Sequence, residues 1–175
     1  MKSNRRGLIW KIGAGVASFG LVRKVAQAQT PLSADDRLDI QELNARYFYA
    51  IDGLDILIPG DPAQNWANTF TSDGSFSIVQ ANGDPVLQIQ GTKALIETFA
   101  SFPDIATTRH WINDLLIEQT ATGVTSGCYI IAMNIKNNPA TIVRTGIYQD
   151  QLVKVSNQWK FQSRKLILDP NSPAG

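Results

Sequence analysis

The stretch from Thr107 to Leu168, TTRHWINDLLIEQTATGVTSGCYIIAMNIKNNPATIVRTGIYQDQLVKVSNQWKFQSRKLIL, decides the fold. It divides into runs rich in β-branched and aromatic residues, which predict strands over 107–118, 124–135, 141–155 and 158–168. The breaks between them are Thr122-Gly123, Asn137-Asn138-Pro139 and Ser156-Asn157, all turn-forming. Gaps this short cannot hold a crossover, so consecutive strands must run antiparallel.

Upstream the texture is helical. Ser33-Ala34-Asp35-Asp36 has the form of a capping box, with acids in the first turn where the helix dipole favours them. Ile40, Leu43, Tyr47, Ile51 and Leu54 then recur at steps of three and four, which predicts an amphipathic helix ending near Gly53. Asp61-Pro62 opens a shorter helix through Trp66 and Phe70, with Pro at the first helical position. Ser72-Asp73-Gly74 predicts a turn and Ser75 to Val79 a strand. Ala81-Asn82-Gly83-Asp84 predicts a hairpin turn, with a returning strand from Val86 to Gln90. Thr92 caps a third helix carrying Leu95, Ile96 and Phe99, which stops before Pro103. Helices first and a long meander after them define an α+β class, with the helices on one face of a curved antiparallel sheet.

The 175 residues, 43% hydrophobic, suffice for one domain with a core and not for two. With one cysteine, Cys128, no internal disulfide forms. With one histidine besides, there is no nitrogen and sulfur cluster for zinc, and no ligand-spaced motif supports an all-carboxylate site, so no metal site is expected. The first 28 residues form a separate unit. Lys2, Arg5, Arg6 and Lys11 precede an apolar run from Ile12 to Val22, and Ala26-Gln27-Ala28 follows. This is the order of a cleaved signal peptide. The Arg5-Arg6 pair resembles a twin-arginine signal, with an ordinary Sec signal as the alternative. Eleven residues rise only about 16 Å as a helix, short of a bilayer core, so no stable membrane anchor is expected. The expected organisation is a signal peptide at 1–28 cut after Ala28, a linker at 29–33 and one domain at 34–170, exported to the periplasm. Loss of the segment's six Lys and Arg leaves ten against fifteen acids, a net charge of −5. A mildly acidic domain is a poor partner for nucleic acid.

A few residues could carry chemistry. Asp52 stands near the end of the first helix, one turn past Phe48 and beside Ile51. It is either a solvated helix-terminal acid or a carboxylate that needs a partner. His110, the only imidazole, begins a strand in Thr108-Arg109-His110-Trp111; it is either a satisfied core group or a proton carrier near neutral pH. By alternation Arg164 shares a face with Gln162 and Lys160, which reads as solvent-facing, and Arg144 and Tyr148 share one face of the preceding strand.

Taken in order, several segments resemble one family. Ile40-Gln41-Glu42-Leu43, Arg46-Tyr47, Ala50 and Asp52 are similar to the opening helix of SnoaL-like proteins, in the nuclear-transport-factor-2-like (NTF2-like) superfamily. Phe70-Thr71-x-Asp73-Gly74-x-Phe76 continues the likeness, as do Arg109-His110-Trp111, Tyr148-x-Asp150-x-Leu152 and Trp159-Lys160-Phe161-x-x-Arg164. The resemblance implies a highly curved antiparallel sheet wrapped into a cone with about three helices around a pocket. Members include scytalone dehydratase, a hexachlorocyclohexane dehydrochlorinase, a bile-acid dehydratase, polyketide cyclases and ketosteroid isomerase. The resemblance also implies an Asp–His dyad at Asp52 and His110, a pocket arginine at Arg164 and a pocket tyrosine at Tyr47. Trp66, Phe70, Trp111 and Tyr129 are expected to line the pocket. The implied activity is that of a cofactor-independent lyase or isomerase on a small apolar ring compound. The alternative is a non-catalytic module binding a small hydrophobic molecule. A homodimer or higher homo-oligomer is also implied. Two departures count against particular substrates: the bile-acid enzyme's further acidic residue is replaced by Ile130-Ile131-Ala132, and the second histidine of scytalone dehydratase has no counterpart.

Overall fold

Ser33 starts the first helix as its sequence suggests: its hydroxyl accepts the Asp36 N–H at 3.0 Å, and the Asp36 carboxylate accepts the Ser33 N–H at 3.1 Å. The computed structural model describes residues 31–102 and 105–172; the signal-peptide reading at 1–28 lies outside the described residues. Helix α1 spans Ala34–Ile51, α2 Pro62–Ala67 and α3 Thr92–Phe99. Strands β1 (Phe70–Val79) and β2 (Pro85–Gln90) precede α3. The strands β3 (Thr108–Thr120), β4 (Gly123–Asn134), β5 (Thr141–Val155) and β6 (Gln158–Leu168) follow it.

The meander forms as its short turns require, each strand pairing antiparallel with the next. The sheet has six strands in the order β2-β1-β6-β5-β4-β3, and β1 joins β6 in parallel. The sheet is therefore mixed rather than antiparallel throughout, while the α+β class stands. Three local expectations change. Phe70 begins β1 instead of closing α2, which ends at Ala67. Ser72-Asp73-Gly74 lies within β1, where the register slips between Phe70 and Ser75, and makes a bulge rather than a turn. Gly91, not Thr92, is the residue that caps α3.

One face of the sheet alternates inward with a period of two, as Val124, Ser126, Cys128, Ile130 and Ala132 do along β4. Helix α1 covers that face with Ile40, Leu43, Tyr47, Phe48 and Ile51. The sheet coils around the helices through irregularities in register at Asn113/Leu116, Ala132/Met133 and Gln151/Leu152. Coiling brings β6 so near β5 that a Cβ on Gly146 would stand 2.3 Å from the Ile167 carbonyl oxygen, so only glycine fits there. The core around α2 is aromatic. Fully buried Trp66 meets Phe70, Phe76, Phe99 and Phe102 at centroid distances of 5.5 to 5.9 Å. Cutting such a residue to alanine costs about 3–5 kcal/mol.

Candidate functional site

Asp52 caps the C-terminus of α1, and its position is made by the residue after it. Gly53 takes a φ of +65°, the left-handed turn that ends a helix, so the chain leaves at once and the Asp52 side chain stays at the helix mouth. There the carboxylate meets β3. Its Oδ1 lies 2.5 Å from His110 Nδ1, and its Oδ2 accepts the His110 backbone N–H at 3.1 Å. Arg109 fixes the same junction by donating Nη1 to the Asp52 carbonyl at 3.3 Å. The carboxylate is 5% exposed and the imidazole 10%. A carboxylate held this way accepts from Nδ1–H, which leaves Nε2 as the basic edge of the ring. The two residues that the family resemblance pairs are thus brought together.

That ring borders a cavity of about 90 Å³. Tyr47, Tyr148, Thr108, Arg144 and the half-buried Phe102 and Ile105 are among its walls. Cavities that admit benzene run to about 150 Å³, so a ring ligand enters only if rim side chains such as Phe102 and Ile105 give way. Burial pushes the Tyr47 hydroxyl up against the opposing pull of Arg164, and pushes the Tyr148 hydroxyl well up, so both stay protonated donors near neutral pH. Among the described residues no group of three metal-ligating side chains comes together. A larger recess of about 530 Å³ lies between α1, α2 and the β5–β6 turn; Glu42, Arg46 and Lys160 line it, and the dyad has no part in it.

Arg164 is not where either sequence argument put it. It faces inward rather than toward solvent, because Gln162 is an extra residue in β6: Leu152 pairs with Phe161 and Gln151 with Ser163. The bulge shifts the alternation, so Phe161 and Arg164 both point in. Nor does Arg164 line the cavity. Its guanidinium is fully buried, 4.1 Å from the ring centroids of Tyr47 and Tyr148 and 4.3 Å from that of Phe161. Its Nη2 donates to Asn44 Oδ1 at 2.8 Å, and its Nε stands 3.3 Å from Asp150 Oδ1. Burial pushes the Asp150 carboxyl up, while Arg164 and the Ser126 hydroxyl, which donates to Oδ2 at 2.7 Å, oppose the shift. Cys128 beside them is pushed up to about 11 by burial and stays a neutral thiol.

Four expected lining residues also stand elsewhere. Trp66 and Phe70 are buried in the aromatic core behind the cavity wall and are not part of its lining. Trp111 is 48% exposed and Tyr129 55% exposed, on the sheet face away from the helices. The period of two decides both: His110 points in, so Trp111 points out, and Tyr129 lies between inward Cys128 and Ile130. Of the expected binding residues only Tyr47 reaches the cavity. Tyr148 and Arg144 do as well. Their signal in the sequence was a shared strand face, in phase with Asp150 and Leu152.

The SnoaL-like domain profile matches residues 33–165. No curated protein matches the sequence significantly. Among solved structures, a protein of unknown function from Mycobacterium tuberculosis is 30% identical, with a TM-score of 0.64 over 77% of this chain and 72% of that one. A protein of unknown function with a cystatin-like fold from Nostoc punctiforme is 24% identical, with a TM-score of 0.66 over 82% and 98%. A candidate scytalone dehydratase from Novosphingobium aromaticivorans is 23% identical, with a TM-score of 0.59 over 77% and 85%. The last two are likenesses of fold alone.

Proposed function

The chain belongs to the SnoaL-like domain family, and from that premise we propose that Asp52 and His110 form a proton-transfer dyad acting on a small, largely apolar ring compound. The reaction class is a cofactor-independent lyase or isomerase. The observation that carries this reading is the 2.5 Å contact between Asp52 and His110 Nδ1, with the opposite edge of the ring at a cavity. Neutral His110 takes a proton from carbon at Nε2, and Asp52 stabilises the imidazolium that forms. In an isomerase the proton returns to another carbon of the same molecule; in a lyase a leaving group departs with the electron pair. Tyr47 or Tyr148 supplies a hydroxyl donor to the developing negative charge.

Because His110 is the only histidine, its imidazole nitrogens give an unambiguous signal in ¹⁵N NMR. The expected state near neutral pH is the Nδ1–H tautomer, lost in Asp52→Asn. An Nε2–H tautomer in the unaltered protein sinks the dyad. The small cavity favours a second reading, a non-catalytic module that holds a small hydrophobic molecule. Saturable binding of such a probe without product supports that alternative. Export through residues 1–28 would place either activity in the periplasm, which N-terminal sequencing of the secreted chain checks.

The family resemblance also carries a proposal about assembly: a second copy covers the outer sheet face. Trp111 pairs across β4 with Ile131, and Tyr129 with Ile147, in neighbouring rows of that face. Such a row of exposed aromatic and aliphatic side chains suits a protein interface.

A further inference from the structure

One wall of the cavity carries a cation that no described residue balances. Arg144 on β5 pairs with Ala132 on β4, and Ala132 pairs with His110 on β3. All three therefore leave the sheet on the same side, and all three wall the cavity. Arg144 makes no hydrogen bond or ion pair among the described residues, and its Nε is buried without a partner. The other arginines near the centre have partners: Arg109 donates to the Asp52 and Thr108 carbonyls, and Arg164, although its Nε and Nη1 also lack hydrogen bonds, donates through Nη2 to Asn44 and faces the Asp150 carboxylate. The carboxylate at the dyad is occupied by His110 through both oxygens. A half-buried guanidinium with a desolvated, unpaired nitrogen is unfavourable unless an anion completes it.

We propose that Arg144 anchors a carboxylate on the ligand, so that this pocket takes small carboxylic acids in preference to neutral ring compounds. This rests on the reading of the cavity as a ligand site and narrows its substrate class. A guanidinium presents a planar fork that matches a carboxylate through two parallel hydrogen bonds, which a point charge does not. The spacing suits the dyad. His110 and Arg144 stand two strands apart, roughly 9.5 Å between backbones at the usual strand separation, with only the Ala132 methyl between them. A ligand held by its carboxylate at Arg144 lays its neighbouring carbons toward His110 Nε2. Positive charge at the carboxylate also favours loss of a proton from those carbons, because it offsets the negative charge that develops.

The test is a titration of the protein with benzoate and crotonate against benzamide and crotonamide, followed by calorimetry and by the His110 imidazole signal. The acids are expected to bind at least about tenfold tighter than the amides. Arg144→Gln should remove that preference, with the acids losing far more affinity than the amides, and Arg144→Lys should retain part of it. Asp52→Asn should keep the acid preference, which separates this inference from the dyad. If the tautomer is as expected but acids and amides bind alike, the anchor fails and the dyad stands; if acids bind through Arg144 but the tautomer is wrong, the reverse holds. Unchanged acid affinity in Arg144→Gln, or binding of no probe at all, overturns the proposal.

Discussion

Among the described residues, two buried pairs join a carboxylate to a basic side chain, and they differ in the two properties that matter for chemistry. Asp52 and His110 meet at 2.5 Å, and the imidazole borders a cavity. Asp150 and Arg164 meet at 3.3 Å, both with fully buried side chains, under the rings of Tyr47, Tyr148 and Phe161. An imidazole exchanges a proton near neutral pH, whereas a guanidinium never does. Burial and pairing alone therefore do not make a site. Access and an exchangeable proton do, and only the first pair has both.

The largest expected effect breaks the first pair. Asp52→Asn keeps the shape but removes the charge that favours Nδ1–H and stabilises imidazolium. Turnover should fall by about four orders of magnitude, as when the orienting carboxylate of a hydrolytic triad is neutralised. Ligand affinity should hardly change. A variant as active as the parent in a steady-state assay would reduce both pairs to structural elements.

The second pair should show the opposite pattern. Asp150→Ala leaves the Arg164 charge buried beside an empty space, at a cost of about 3–5 kcal/mol in stability. The double change Asp150→Ala with Arg164→Met should recover much of that cost, since no unpaired charge remains. Urea unfolding of the parent and the two variants measures this directly. Equal losses in the single and double variants would mean that the pair holds the Tyr47 and Tyr148 rings by shape and not by charge.

These contrasts also show which parts of the molecule could be read from its sequence. The three helices and the meander were legible, because apolar residues at helical steps and short turns between long strands leave few alternatives. The family resemblance pointed to Asp52 and His110, which spacing alone left open. Arg164 was misread because alternation cannot foresee the extra residue Gln162, a feature set by how β6 pairs with β5 and β1. The errors at Trp111 and Tyr129 were avoidable. Once His110 is taken as inward, Trp111 beside it must face out, and Tyr129 must do so between apolar Cys128 and Ile130, so those two aromatic residues belong to the opposite surface.

That opposite surface offers a narrower test, because Trp111 adjoins His110 in sequence and turns its back on it. If only the interior matters to the first pair, Trp111→Asp should weaken self-association by about ten- to a hundredfold, the usual effect of removing an aromatic interface residue. The His110 tautomer should stay the same. Sedimentation velocity and the ¹⁵N spectrum read the two outcomes separately. A parent protein that is monomeric at high concentration removes the interface; a changed tautomer shows that the two faces are coupled.

The smallest expected effect extends the comparison to a third carboxylate, this one half-buried at the surface. Asp36 accepts from Lys154 Nζ at 2.7 Å, Trp159 Nε1 at 3.0 Å and the Ser33 backbone N–H at 3.1 Å, which ties the start of α1 to β5 and β6. Lys154 first, and Ser33 and Trp159 with it, hold the Asp36 carboxyl well below the usual carboxylate range. A depressed carboxylate stabilises the fold fully above its unfolded pKa, near 4, and loses that contribution as the pH falls further toward the folded value. Stability should therefore decline below about pH 4, with a shallower decline in Asp36→Asn. Water and salt screen a surface pair of this kind, so the difference should be small and shrink further at high ionic strength. A slope unchanged by Asp36→Asn would assign the acid sensitivity to the buried carboxylates instead, and would make depth, more than the number of hydrogen bonds, what separates these pairs.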